Sequence, residues 1–199
     1  MIVVFDLDGT LVDASALHAR ILSRLLGKDV NPEIIYDSGS LQFFVMENIE
    51  AKNWSSIKDI TRVHEAEMLK NVELVKPMPG VYEVLTAIKA KKALFTSASR
   101  KLTLAILKEL NINGYFDVII TSSDVGKTKP DSEGLYMISN ELNDNHLVVI
   151  GNGERDVLAA KKVGAISVLF SPKKAPKNVA DFTVKSLAEV LNLVESLEK

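Results

Sequence analysis

Short runs that are apolar or nearly so punctuate the chain at Ile2 to Phe5, Ala93 to Phe95, Val118 to Ile120, Leu147 to Ile150 and Ile166 to Phe170. Each has the length of a strand buried on both faces. Between the later runs, apolar residues recur every three or four positions: Val81, Val84, Leu85 and Ile88, then Leu102, Ile106, Leu107 and Leu110, then Leu135, Ile138 and Leu142. That spacing places each set on one face of a helix. Val157, Leu158 and Val163 form a shorter set of the same kind. Strands alternating with helices at this pitch predict crossover units, and so an α/β core built on a doubly wound, Rossmann-like parallel sheet with helices on both faces. A sixth short strand, Phe182 to Val184, precedes a last helix opened by Ser186, with Glu189 three residues on as its capping-box partner.

The rhythm breaks between Ala14 and Met78, where no strand run stands out and helices follow one another. Leu17, Ile21, Leu22, Leu25 and Leu26 form one stripe that Gly27 ends, and Leu41, Phe44, Val45 and Ile49 form a second. A third runs through Ile60, Val63, Met68 and Leu69, and is expected to start at Ser56 with Asp59 as its capping partner. The pattern predicts a core of residues 1–13 and 79–199 interrupted by a helical insertion over residues 14–78. Hinges are expected near Val12 to Ser15 and in the Lys76 to Gly80 stretch, which carries Pro77, Pro79 and Gly80.

Composition narrows the function. The 199 residues include no Cys, which excludes disulfide scaffolds, thiolate metal sites and cysteine nucleophiles. With 24 Lys and Arg against 26 Asp and Glu, there is no basic field to collect nucleic acid. The first apolar run is stopped by Asp6 and Asp8, unlike a signal peptide, and no run reaches the length of a membrane span. A cytoplasmic protein with no nucleic-acid or membrane partner is expected, monomeric by default with a dimer possible.

The candidate chemistry sits at the ends of the predicted strands, where doubly wound sheets bind ligands. Asp6-Leu7-Asp8-Gly9-Thr10 follows the first, Thr96-Ser97 the second, Gly126-Lys127-Thr128-Lys129-Pro130-Asp131 the third, and Gly151-Asn152-Gly153-Glu154-Arg155-Asp156 the fourth. Thr96 and Ser97 offer hydroxyls and backbone N–H groups to an oxyanion. His18, His64 and His146 are scattered, without an acidic partner or second His at ligand spacing, and a surface role is expected for His18. Arg100 is expected to stay out of the site. Trp54, Phe43 and Phe44 are read as helix core, and Tyr36, Ser38 and Ser40 lie in a polar joint where a substrate loop is expected.

Taken together, the four segments resemble the ordered motifs of the haloacid dehalogenase superfamily of aspartyl-phosphate phosphatases. The place of the helical insertion is similar to that of the branch containing phosphoglycolate phosphatases and beta-phosphoglucomutases. The resemblance implies a magnesium-dependent hydrolase of a small phosphorylated metabolite, with residues 14–78 as a cap over the site. It implies Asp6 as nucleophile, Asp8 as acid and base, and Thr96, Ser97, Gly9 and Thr10 around the phosphoryl group. It implies Mg2+ held by Asp6, Asp8, Asn152 and Asp156. The lysine of the third motif is Lys127 by the frame ahead of Pro130 and Asp131, with Lys129 as the alternative. The fourth motif usually carries Asp where this chain has Asn152, so three readings stay open: weaker metal coordination, a catalytically impaired phosphate-binding homologue, or deamidation at Asn152-Gly153. A phosphomutase of the same branch is the alternative activity.

Overall fold

The computed structural model describes residues 1–32, 35, 54–172 and 179–198. Six strands form one parallel sheet in the order β5-β4-β1-β6-β7-β8. They are β1 (Ile2–Phe5), β4 (Lys91–Phe95), β5 (Val118–Ile120), β6 (Leu147–Gly151), β7 (Ile166–Phe170) and β8 (Phe182–Val184). The chain moves outward from β1 through β4 to β5, then returns to place β6 on the other side of β1. That reversal of direction is what opens a crevice at the carboxyl ends of the strands.

Alternation along β1 explains why the sheet is covered on both sides. Val3 and Phe5 join a cluster with Val81, Val84, Leu102, Leu107, Leu187 and Val190. Ile2 and Val4 point the other way, to Leu135, Ile138, Ala159 and Ala160. The first cluster is therefore roofed by α3 (Val81–Ala87), α4 (Arg100–Glu109) and α7 (Leu187–Leu197), and the second by α5 (Glu133–Leu142) and α6 (Glu154–Lys162). Phe5, Leu94 and Phe95 are all but fully buried, and removing such side chains from water stabilises the fold by roughly 1.5–3 kcal/mol each.

The insertion leaves and re-enters the core through a ladder that the apolar pattern does not reveal. β2 (Val12–Asp13) pairs antiparallel with β3 (Lys76–Pro77), and Met78 N–H donates to the Leu11 carbonyl at 2.9 Å. Both expected hinge segments thus lie side by side. Beyond them, α1 (Ser15–Leu26) ends at Gly27 as expected and lies against α2 (Trp54–Lys70). α2 already begins at Trp54, so Ser56 lies inside the helix rather than capping it. Leu17 and Ile21 of α1 and Met68 of α2 belong to the main core cluster, while Ala19, Leu22, Val30 and Ile35 form a small cluster of their own. The stripe of Leu41, Phe44, Val45 and Ile49, the Phe43-Phe44 pair and the joint of Tyr36, Ser38 and Ser40 fall outside the described residues, as does the side chain of Trp54.

Candidate active site

Asp6 continues β1 by one residue: its N–H donates to the Ile150 carbonyl at 2.9 Å, so its side chain emerges at the carboxyl end of the sheet. The chain then turns sharply. Leu11 and Val12 N–H both donate to the Leu7 carbonyl, at 2.8 and 3.1 Å, and Gly9 takes φ of 80°, a region that side-chain-bearing residues seldom enter. The turn carries Asp8 to the rim and uses the Gly9 and Thr10 backbone N–H groups internally, while the Thr10 hydroxyl is buried without a partner among the described residues. Gly9 N–H donates to Val12 and Thr10 N–H to Leu7, at 2.8 and 3.3 Å, and neither residue lines the cavity. Gly9 and Thr10 therefore build the turn rather than a phosphate cradle, a correction to the expectation from the motif.

The lysine at the centre is Lys129, not Lys127. Its Nζ donates to Asp6 Oδ1 at 2.6 Å, Asp156 Oδ1 at 2.6 Å and the Phe95 carbonyl at 3.0 Å, which uses all three of its protons. Lys127 is exposed, and its backbone N–H is bonded to Glu133 Oε2 at 2.9 Å. The turn closed by Asp131 N–H on the Thr128 carbonyl, at 3.0 Å, directs the buried side chain of position 129 inward. Burial alone would lower the Lys129 ammonium, but Asp156 and Asp6 outweigh it and hold the group above its ordinary value. Burial pushes Asp6 up to about 7, with Lys129 pulling it down and Asp156 pushing it up.

Asp156 reaches the cluster from the first turn of α6. Its Oδ2 accepts from Gly153 N–H at 3.1 Å while Oδ1 holds Lys129. Asp156 is thus tied to the lysine and to the start of α6, and each of its oxygens can accept one further bond. The close approach needs Gly151, because a Cβ there would stand 2.2 Å from Asp156 Cγ. At the end of β4, Thr96 and Ser97 both line the cavity. The Thr96 N–H donates to the Ile120 carbonyl at 3.0 Å and its Oγ1 accepts from Ala98 N–H at 3.1 Å, so Thr96 presents a hydroxyl proton, not a backbone donor, to a ligand.

These groups face a cavity of about 320 Å³, which Asn152 and Arg155 also line from the core side. α1 and α2 close it with His18, Thr61, His64, Glu65 and Met68. Ser99 Oγ donates to Glu65 Oε1 at 2.8 Å across the boundary between α2 and the core. His18 is not a surface residue. It is buried, its Nε2 lies 2.6 Å from Asp8 Oδ2, and its Nδ1 lies 2.9 Å from Nε2 of the buried His64. Both positions were recoverable from the periodicity, since His18 lies four residues before Leu22, and His64 four after Ile60 and four before Met68, on the apolar stripes. Arg100 stays away, with Nε on Asp124 Oδ1 at 3.0 Å and Nη2 on the Ile119 carbonyl at 3.0 Å.

The donor set suits a small hard cation. Asp6, Asp8 and Asn152 bring oxygens to one cavity, and magnesium is commonly held by one or two carboxylates together with water and substrate phosphate. No cluster of three or more His, Cys, Asp or Glu that could hold a metal ion is found among the described residues.

The chain is similar over most of its length to proteins named as phosphatases. A phosphoglycolate phosphatase of Aquifex aeolicus is 26% identical, with 98% of this chain and 97% of that one covered. A phosphorylated carbohydrates phosphatase of Thermotoga maritima is 32% identical, with 81% of each chain covered. The fold is shared with CbbY of Rhodobacter sphaeroides, solved with xylulose 1,5-bisphosphate, at a TM-score of 0.79 and 19% identity over 94% of this chain and 95% of that one. The haloacid dehalogenase-like hydrolase pattern matches residues 3–170, which run from the first buried strand through the end of β7, and the chain belongs to that family.

Proposed function

We propose that the protein is a magnesium-dependent phosphatase that hydrolyses a small phosphomonoester through an aspartyl-phosphate on Asp6. The observation that carries this reading is the buried Asp6 carboxylate, tethered by Lys129 at 2.6 Å at the mouth of the central strand, with Asp8 lining the same cavity. A Asp6 oxygen attacks phosphorus as the ester oxygen leaves, and Asp8 gives that oxygen a proton. Asp8 then takes a proton from water, whose oxygen attacks the phosphorus of the aspartyl-phosphate and releases inorganic phosphate with Asp6 restored. Lys129 opposes the charge that gathers on the equatorial phosphoryl oxygens, and the Thr96 and Ser97 hydroxyls orient them. Asp6, Asp8 and Asn152 would hold Mg2+, whose charge offsets the repulsion between an anionic nucleophile and an anionic substrate.

The size of the cavity, about 320 Å³, suits a compact metabolite. The names of the Aquifex and Thermotoga relatives, a phosphoglycolate phosphatase and a phosphorylated carbohydrates phosphatase, support the same class. In this reading residues 14–78 act as a cap that moves on the paired β2 and β3 and shields the aspartyl-phosphate from bulk water. Turnover of p-nitrophenyl phosphate with magnesium is expected in the wild type and lost, by at least about 100-fold, in Asp6→Asn. Retention of the wild-type rate would contradict the mechanism. Asn152 supplies an amide oxygen without charge, so Asn152→Asp should lower the magnesium concentration needed for half-maximal rate. An unchanged magnesium dependence would place Asn152 away from the ion.

A further inference from the structure

The cavity that holds Asp6 extends past the groups assigned to phosphoryl transfer. Glu65 lines it from α2, with Thr61 one turn earlier, and Ser99 lines it from the core. Ser99 is the N-cap of α4: its Oγ accepts from Leu102 N–H at 3.2 Å and donates to Glu65 Oε1 at 2.8 Å. A helix start presents the positive ends of its peptide dipoles, and the first turn of α4 has no acidic residue of its own. A second anionic group on a substrate would settle at such a place if it were open. Here the half-buried Glu65 carboxylate, brought by another helix, already stands against it. The charges around the cavity point the same way. Among the described residues that line it, the carboxylates of Asp6, Asp8, Glu65 and Asp156 face only Lys129 and Arg155. Lys129 is shared between Asp6 and Asp156. Arg155 belongs to the first turn of α6, where Asp156 steadies its charge, and it follows β6, on the opposite side of β1 from the β4 end that leads to Ser99.

We propose that Glu65 is a specificity-determining residue. It fills the cavity's second anion position, so the protein takes phosphomonoesters whose remaining part is uncharged and hydroxyl-bearing, such as polyol or sugar monophosphates, and rejects those that carry a carboxylate or a second phosphoryl group. This rests on the phosphatase reading and names the substrate class within it. Phosphoglycolate, with its carboxylate, falls in the rejected class. A carboxylate has more lone pairs than the bond from Ser99 uses, so a substrate hydroxyl can donate to Glu65. A distal anion brings no proton to that contact and meets a like charge in a cavity partly closed to water, where repulsion is screened less than in bulk solvent.

The test compares two esters of one carbon skeleton, the phosphates at the terminal alcohol of glycerol and of glycerate, which differ only in a distal hydroxymethyl group against a carboxylate. Each is competed against p-nitrophenyl phosphate with magnesium, so that an inhibition constant is read whether or not the ester is itself turned over. Wild type is expected to bind the glycerol ester at least about tenfold more tightly. Glu65→Gln, whose amide oxygen can still accept from Ser99, should reduce that preference to within about threefold, chiefly through tighter binding of the glycerate ester. Ser99→Ala removes the bond between α2 and the core but leaves the carboxylate in place, and should keep the preference. A wild type that binds the two esters alike, a preference that survives in Glu65→Gln, or one lost equally in Ser99→Ala would overturn the proposal. Turnover of p-nitrophenyl phosphate, with its loss in Asp6→Asn, reports on the phosphatase reading, and the ratio of the two inhibition constants reports on Glu65.

Discussion

Position 64 shows how a single side chain couples stability to pH. The folded His64 imidazole is held at about 3 against an ordinary 6.5, because burial and the neighbouring His18 disfavour its cation. Below pH 6.5 the unfolded chain gains a proton that the folded chain refuses, so this residue's contribution is present above that pH and is lost as pH falls toward about 3. The slope reaches about 1.4 kcal/mol per pH unit. Urea unfolding at pH 6.5 and about 4.5 should show wild type losing roughly 2–3 kcal/mol more than His64→Gln across that window. Equal losses would mean that the imidazole is solvated in the fold. The same scale shows what sequence reading can miss. Asp6, Asp8, Thr96 and Asp156 were placed by their strand ends, since a doubly wound sheet delivers those ends to one crevice. Lys127 and Lys129 lie two residues apart in one turn, and only the turn's hydrogen bonds decide which side chain points inward. Gly9 and Thr10 are likewise consumed by a turn that the motif alone does not describe.

Elements were read most reliably where packing and local chemistry agree. β1, β5, β7 and β8 match the predicted runs residue for residue, and β1 and β5 carry no polar position to blur their limits. α7 illustrates a helix start set by its own atoms. Ser186 Oγ accepts from Glu189 N–H at 3.2 Å, and Glu189 Oε2 accepts in return from Lys185 N–H at 2.9 Å, one residue before the position a reciprocal box uses. Ser186→Ala should lower the unfolding free energy by about 1 kcal/mol without changing the denaturant slope. No change would show that solvent already satisfies Glu189. The β2–β3 ladder leaves no trace in the sequence for the opposite reason. A two-residue strand has no periodicity to read, and its pairing of Val12 with Pro77 joins positions brought together only by the whole insertion.

At the scale of the molecule, one sheet collects groups from four distant segments, and two helices of the insertion close the cavity over them. The core architecture follows from alternation of buried strands and amphipathic helices, so it was legible in the sequence. The closing surface was not, because His18, Thr61, His64 and Glu65 come from helices whose docking depends on Leu17, Ile21 and Met68 joining the main core. The proposed cap is therefore packed into the core cluster at its root while its own cluster of Ala19, Leu22, Val30 and Ile35 stays separate, an arrangement consistent with movement about the ladder. Everything in this account turns on Asp6 carrying the phosphoryl group. The most direct measurement is to quench the protein during turnover of a phosphomonoester with magnesium, reduce it with borohydride and map the modified residue by mass spectrometry. An acyl phosphate is reduced to an alcohol where a free carboxylate is not. The expected result is reduction at Asp6, dependent on substrate and absent in Asp6→Asn. Continued turnover with Asp6 unmodified, or reduction at another carboxylate, would contradict the mechanism.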